Sequence, residues 1–208
     1  MKYDFWIVLK YLAYILIFVS FAAPAQNDSL FIKVHFLYGS RPLKQFKSTE
    51  TKHFGGKHGG HVSIELDNID YGFGPSNGSF HLFAHKKKPR SSFDTKNSEG
   101  KPAYMGGWKY ASVWIPLTEE QYDRVKQVLE NYTNKSPYDY AFFGMRCASA
   151  THDILAQTGI LKSRSNFYYI LTTFYPKKLR KRLFRLAETR SYKIIKQEGR
   201  TTRKWEKD

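Results

Sequence analysis

Apolar and polar positions along the 208-residue chain repeat with two periods, near two in its first half and near three and a half later, which predicts strands followed by helices. Phe31 to Tyr38 (FIKVHFLY) is rich in aromatic and β-branched residues and ends at the turn cluster Gly39-Ser40-Arg41-Pro42, which predicts a first strand. In His61-Val62-Ser63-Ile64-Glu65-Leu66 the alternation is strict. A strand there turns Val62, Ile64 and Leu66 to the core and His61, Ser63 and Glu65 to the other face. Tyr71-Gly72-Phe73 and Ser79 to Ala84, separated by Gly74-Pro75-Ser76-Asn77-Gly78, predict two further strands in a meander. Residues 85–107 are polar and basic and read as loop. Trp108 to Leu117 returns to strand composition, and Pro116, which cannot donate a ladder hydrogen bond, places the expected sheet edge there.

The period then lengthens. Thr118-Glu119-Glu120-Gln121 is a capping box, and Tyr122, Val125, Val128, Leu129 and Tyr132 follow at helical spacing. A turn at Ser136 to Tyr140 leads through Gly144 into a second helix over Arg146 to Thr158, ended by Gly159, with Cys147 in its first turn. Leu179, Leu183 and Leu186 give a third helix an apolar stripe, and Tyr192 to Trp205 is expected to close as a strand pair around Glu198-Gly199. No internal repeat or low-complexity block interrupts this order. The expected fold class is α+β, an antiparallel sheet packed against helices.

Ahead of the first strand, Tyr11 to Ala22 is nearly uncharged and Ala23-Pro24-Ala25 follows with the small residues of a cleavage site. Residues 1–25 therefore read as a signal peptide, with a retained membrane anchor over Phe5 to Ala23 as the alternative. Residues 26–208 make one domain, exported to the periplasm or cell envelope. Thirty-four Lys and Arg against eighteen Asp and Glu give a formal charge of +16, so partners are expected to be anionic. The excess gathers at the carboxyl end, where residues 176–208 hold thirteen basic and four acidic side chains. A single cysteine rules out an intramolecular disulfide.

Cys147 at a helix start meets unpaired backbone N–H groups and the positive end of the helix dipole, which stabilise a thiolate and can hold an oxyanion. The alternative is a small buried hydrophobe, the commonest fate of a free cysteine. Seven histidines compete as its base: His35, His53, His58, His61, His81, His85 and His152. His61 fits best, since it opens a strand, lies on that strand's polar face and follows a glycine-rich stretch that keeps the approach open. His152, five residues after Cys147 on one helix, points about 140° away round the axis. His53, His58 and His61 invite a zinc reading, but their spacing matches no standard site. No phosphate-loop, dinucleotide or nucleophilic-serine motif appears, so no metal and no cofactor is expected.

His61-Val62-Ser63-Ile64 at a strand start, then Pro137-Tyr138-Asp139-Tyr140-Ala141-Phe142-Phe143, then Cys147 on a helix, resembles the circularly permuted NlpC-type papain-like proteins and the acyltransferases related to lecithin retinol acyltransferase. The match covers roughly residues 55–160 in order and type. It implies a permuted papain-like fold and a cysteine hydrolase. Cys147 would attack a carbonyl carbon to form a thioester, with His61 carrying the proton. The resemblance also implies a third polar residue on the strand after the histidine strand. Tyr71-Gly72-Phe73 offers none, so His81 on the following strand is nominated to orient the imidazole, with Glu65 in reserve.

Expected substrates are cell-wall peptides or acylated lipids. The alternative function is a non-catalytic binding module of the same fold that holds an anionic envelope partner. Lys177, Lys178, Arg180 to Arg182 and Arg185 crowd one helix opposite its leucines, a basic tail expected to meet an anionic membrane or envelope surface. Nucleic acid would suit the same charge but is not expected of an exported protein.

Overall fold

The computed structural model describes residues 30–50, 59–98, 107–172 and 175–208. The proposed signal segment and His53 and His58 lie outside them. Six strands form one antiparallel sheet: β1 (Phe31–Tyr38), β3 (Gly60–Leu66), β4 (Ile69–Pro75), β6 (Ser91–Asn97), β7 (Tyr110–Pro116) and β9 (Lys193–Gln197), in the order β6-β4-β3-β1-β7-β9. Four helices pack against it: α1 (Glu119–Asn134), α2 (Cys147–Gln157), α3 (Asn166–Thr172) and α4 (Pro176–Arg190). Two small pairs complete the described fold. β2 (Ser40–Pro42) pairs antiparallel with β10 (Arg203–Trp205), and β5 (His81–Phe83) pairs parallel with β8 (Ala141–Phe143).

The register follows the alternation read from sequence. Val34 faces Ile64, Phe36 faces Val62, and Val34 also faces Val113 across the other ladder of β1. These residues are buried beneath Val125, Leu129, Ile154, Leu155, Leu179 and Leu183 of the helices, a single core. Removing that apolar surface from water is the main stabilising term. α1 begins as its capping box predicts: the Thr118 hydroxyl accepts from the Gln121 N–H at 3.2 Å, and the Gln121 side chain returns the bond to the Thr118 N–H.

Several sequence expectations change. Residues 91–97, read as loop, form β6, an edge strand whose ladder to β4 supplies what its polar sequence lacks in burial. β5 leaves the meander to pair with β8. β7 is not the edge, because β9 pairs along Tyr110 to Trp114 and Pro116 lies just past the end of that ladder. β9 and β10 do not pair with each other, having found β7 and β2 instead. The second face of the sheet is polar but not solvated. There His35 bonds the Ser112 hydroxyl at 2.6 Å and Glu65 at 3.0 Å, and Lys33 also bonds Glu65. Burial alone would raise the Glu65 carboxyl, but those hydrogen bonds outweigh it and hold it at about 2.

The basic helix also differs from its sequence reading. Arg180 is fully buried, with its guanidinium on Glu206 and Asp208 and 3.7 Å from the centre of the Tyr38 ring. It ties the chain's last residues to the sheet. The outward cations of α4 are Lys178, Lys181, Arg185 and Arg190.

Candidate functional site

A cleft of about 560 Å³ opens where β3 begins and β4 ends, and both Cys147 and His61 line it. A depression of about 620 Å³ lies elsewhere, along Asp67, Asn68, Ile69, Thr95, Lys96 and Asn97, and is lined by neither cysteine nor histidine.

Backbone geometry sets each of the two side chains on the cleft wall. Gly60, immediately before His61, has φ +114°, and a Cβ built there would lie 2.6 Å from the Leu37 carbonyl oxygen. Glycine is therefore required to start β3 against the end of β1. Across β3, Ser63 faces Gly72. Gly72 has no side chain to crowd the imidazole: a Cβ added there would meet His61 Nε2 at 3.3 Å. The small floor gives the ring its place over β4.

Cys147 is the first residue of α2, after an extended Arg146. The Ser149 hydroxyl accepts the Arg146 N–H at 2.7 Å. The N–H groups of Val62, Ala148 and Cys147 are directed at the sulfur and favour its charge, as does Arg146. Val62 is the neighbour of His61, so the sulfur lies against the histidine strand. Burial nevertheless outweighs these contacts and pushes the thiol up, with Cys147 only 5% exposed. The helix start alone suggested a stabilised thiolate; the apolar packing around the sulfur reverses that. Burial likewise lowers His61 to about 4, with Lys96 adding to the effect and Asp94 opposing it. At neutral pH the cleft is therefore lined by a neutral thiol and a neutral imidazole.

The rest of the lining is largely aromatic. Phe73, Phe80, Tyr140, Phe142 and Tyr175 surround the pair, with Arg146 stacked 4.7 Å from the Phe142 ring centre. Burial, with the Cys147 charge second, raises the Tyr140 phenol, which stays protonated as a hydrogen-bond donor in the cleft.

His81 does not line the cleft. Its Nδ1 bonds the Asp139 carboxylate at 2.5 Å, which also accepts the His85 N–H at 2.7 Å and the Arg90 N–H at 2.6 Å. Asp139 thus pins the 81–90 segment, and His81 is one of its tethers. Glu65, the reserve, is bound to His35 and Lys33. A charge not read from the sequence is that of Asp94, exposed on β6 and accepting the Ser92 hydroxyl at 2.8 Å. It faces Gly72 across the next ladder, and its charge acts on His61. The glycine in between was the only available signal, since it lets a side chain from one strand further reach the field of the imidazole. His152 faces away and takes the Arg182 guanidinium at 2.9 Å. Among the described residues no cluster of three His, Cys, Asp or Glu is arranged to hold a metal, and no helix is long and apolar enough to cross a membrane.

No protein-family model, no curated protein and no solved structure matches this chain.

Proposed function

We propose that the chain is an exported cysteine hydrolase of the permuted papain-like type, acting on an amide or ester. One observation carries this reading: Cys147 and His61 line one cleft, and the Val62 N–H of the histidine strand favours charge on the sulfur. Because thiol and imidazole are both neutral, proton transfer accompanies attack rather than preceding it. The Cys147 sulfur bonds the acyl carbon as its proton passes to His61, and the Cys147 and Ala148 N–H groups with the Tyr140 hydroxyl face the developing oxyanion. The bond to the leaving group then breaks and His61 returns the proton to it, leaving a thioester. Water, losing a proton to His61, attacks the thioester, releases the carboxylic acid and restores the thiol. In this scheme the Asp94 charge, opposed by Lys96, biases the protonation of His61 and does not orient its ring.

The second reading is a binding module that uses cleft and basic tail to hold an anionic envelope partner. The raised Cys147 thiol favours it, since a buried thiol is a poor resting nucleophile. An activated ester such as p-nitrophenyl butyrate separates the two. The hydrolase forms a butyryl adduct on Cys147, seen by intact mass, and His61→Ala slows its formation on the order of 10³-fold. Absence of any adduct in a folded protein, across neutral to alkaline pH, removes the enzyme assignment.

A further inference from the structure

β5 and β8 stand apart from the main sheet and present an unusual surface. Phe80 is 47% exposed, Leu82 58%, Phe83 66%, Phe142 38% and Phe143 48%. They make an apolar ribbon exposed on both sides: Phe83 and Phe143 stack with centroids 5.4 Å apart, Phe142 meets Phe143 at 4.9 Å, the two strands are hydrogen-bonded, and Leu82 alternates with Phe83 to the other side of β5. Phe80 and Phe142 are also walls of the cleft, so the patch is its rim. Contiguous exposed aromatics on a soluble surface mark an interaction site.

The neighbouring charge says which partner fits. Directly after β5 come Lys86, Lys87, Lys88 and Arg90, all exposed, and no ion pair neutralises them among the described residues. This basic loop is not free to swing away. Asp139 holds it at His85 and Arg90 by their backbone N–H groups and holds β5 through His81, fixing cations and aromatics side by side. Aromatic rings flanked by lysines match the boundary between acyl chains and anionic head groups, where rings sit at the interface and ammonium groups reach phosphate.

We propose that the β5–β8 patch seats the protein on an anionic lipid bilayer, with Phe83, Phe143 and Leu82 in the interface and Lys86, Lys87 and Lys88 on lipid phosphates. The cleft mouth then opens toward lipid. Combined with the hydrolase reading, on which this clause alone rests, the orientation selects acylated lipids over soluble peptides as substrate.

The test reads docking without catalysis, so it stands or falls apart from the hydrolase. In the full chain carrying Cys147→Ser, Leu82→Cys is labelled with the environment-sensitive fluorophore NBD. Glu198→Cys, beyond the opposite sheet edge, serves as the control against anchoring by any other segment. Folding of each is checked by circular dichroism. With vesicles of phosphatidylcholine and phosphatidylglycerol, the label at 82 brightens several-fold and shifts to the blue while the label at 198 does not change. Salt, the combined Lys86→Gln, Lys87→Gln and Lys88→Gln changes, or Phe83→Ser with Phe143→Ser each remove most of the response. A label at 82 that stays water-like, or that responds no more than the one at 198, overturns the proposal. An equal response to pure phosphatidylcholine overturns the role of the lysines and with it the anionic partner.

Discussion

His35 and His61 sit on the same face of the same sheet, in neighbouring strands, two residues apart in register: His35 lies across from Ser63, and Leu37 from His61. Their surroundings are opposite. His35 has Ser112 on one ring nitrogen and Glu65 on the other and is 3% exposed. His61 lies over Gly72, opens on a cleft and shares it with a thiol. A strand histidine thus becomes a structural bond or a chemical group according to what the adjacent strands offer it. A carboxylate and a hydroxyl fill both nitrogens of the first; a glycine floor leaves the second at the mouth of a cleft that Cys147 also lines.

The largest break in this comparison is to remove each ring. His61→Ala is expected to abolish acyl transfer to Cys147, on the order of 10³-fold, with little change in melting temperature. His35→Ala leaves Glu65 and Lys33 in a buried network with a partner missing and costs about 3 kcal/mol of stability, while the rate per folded molecule holds. Denaturant titration and single-turnover kinetics on the same samples give both quantities. Equal losses of stability and rate in the two variants would mean the histidines play one role.

A smaller effect comes from the floor. Gly72→Ala puts a methyl 3.3 Å from His61 Nε2, tighter than ordinary van der Waals contact, so the ring must shift by a few tenths of an ångström. Nothing else in the site changes chemically. The expected result is a fall of roughly tenfold in the acylation rate, since small misplacements of a catalytic group are costly, with the fold intact. A rate at the parent level would show that the ring is not held by its contact with β4.

Much of this was readable in the sequence, and the rest was not for definable reasons. The alternation at His61 to Leu66 and the capping box at Thr118 are local signals, and both gave the observed element. β6 was hidden because Ser91-Ser92-Phe93-Asp94-Thr95-Lys96-Asn97 buries little beyond Phe93, so its strand state depends on the ladder to β4. The partners of β9 and β10 are set by contacts distant in sequence. Cys147 and His61 were nominated through residue type and order, and the fold places both on one cleft. The charge of Asp94 on His61 was not legible, because it acts across a glycine from a stretch that reads as loop. Arg180 looked like one more surface cation until Glu206 and Asp208 were seen to close over it.

The finest distinction between the two histidines is electrostatic, and it tests Asp94 directly. Burial first and Lys96 second, with Asp94 opposing them, take His61 down to about 4 from an ordinary 6.5. The sign follows from that order. A ring whose folded value lies below its unfolded one is neutral in the folded state through the interval from 6.5 down to about 4. Its contribution to stability is present above 6.5 and is lost as pH falls through that interval. Base function persists over the same interval, so the acylation rate should fall only as pH approaches about 4. Asp94→Asn removes a charge that favours the imidazolium and moves the midpoint down, whereas Lys96→Gln removes one that opposes it and moves the midpoint up, each by less than about one unit. Arg146, Tyr140 and Cys147 share the cleft and are unaltered in both variants, which isolates the β6 pair. Proton NMR of the His61 ring across pH 3 to 8 follows both shifts, and the rate profile must move with them. Midpoints that stay together in the two variants would leave Asp94 an ordinary edge-strand residue with no part in setting the base.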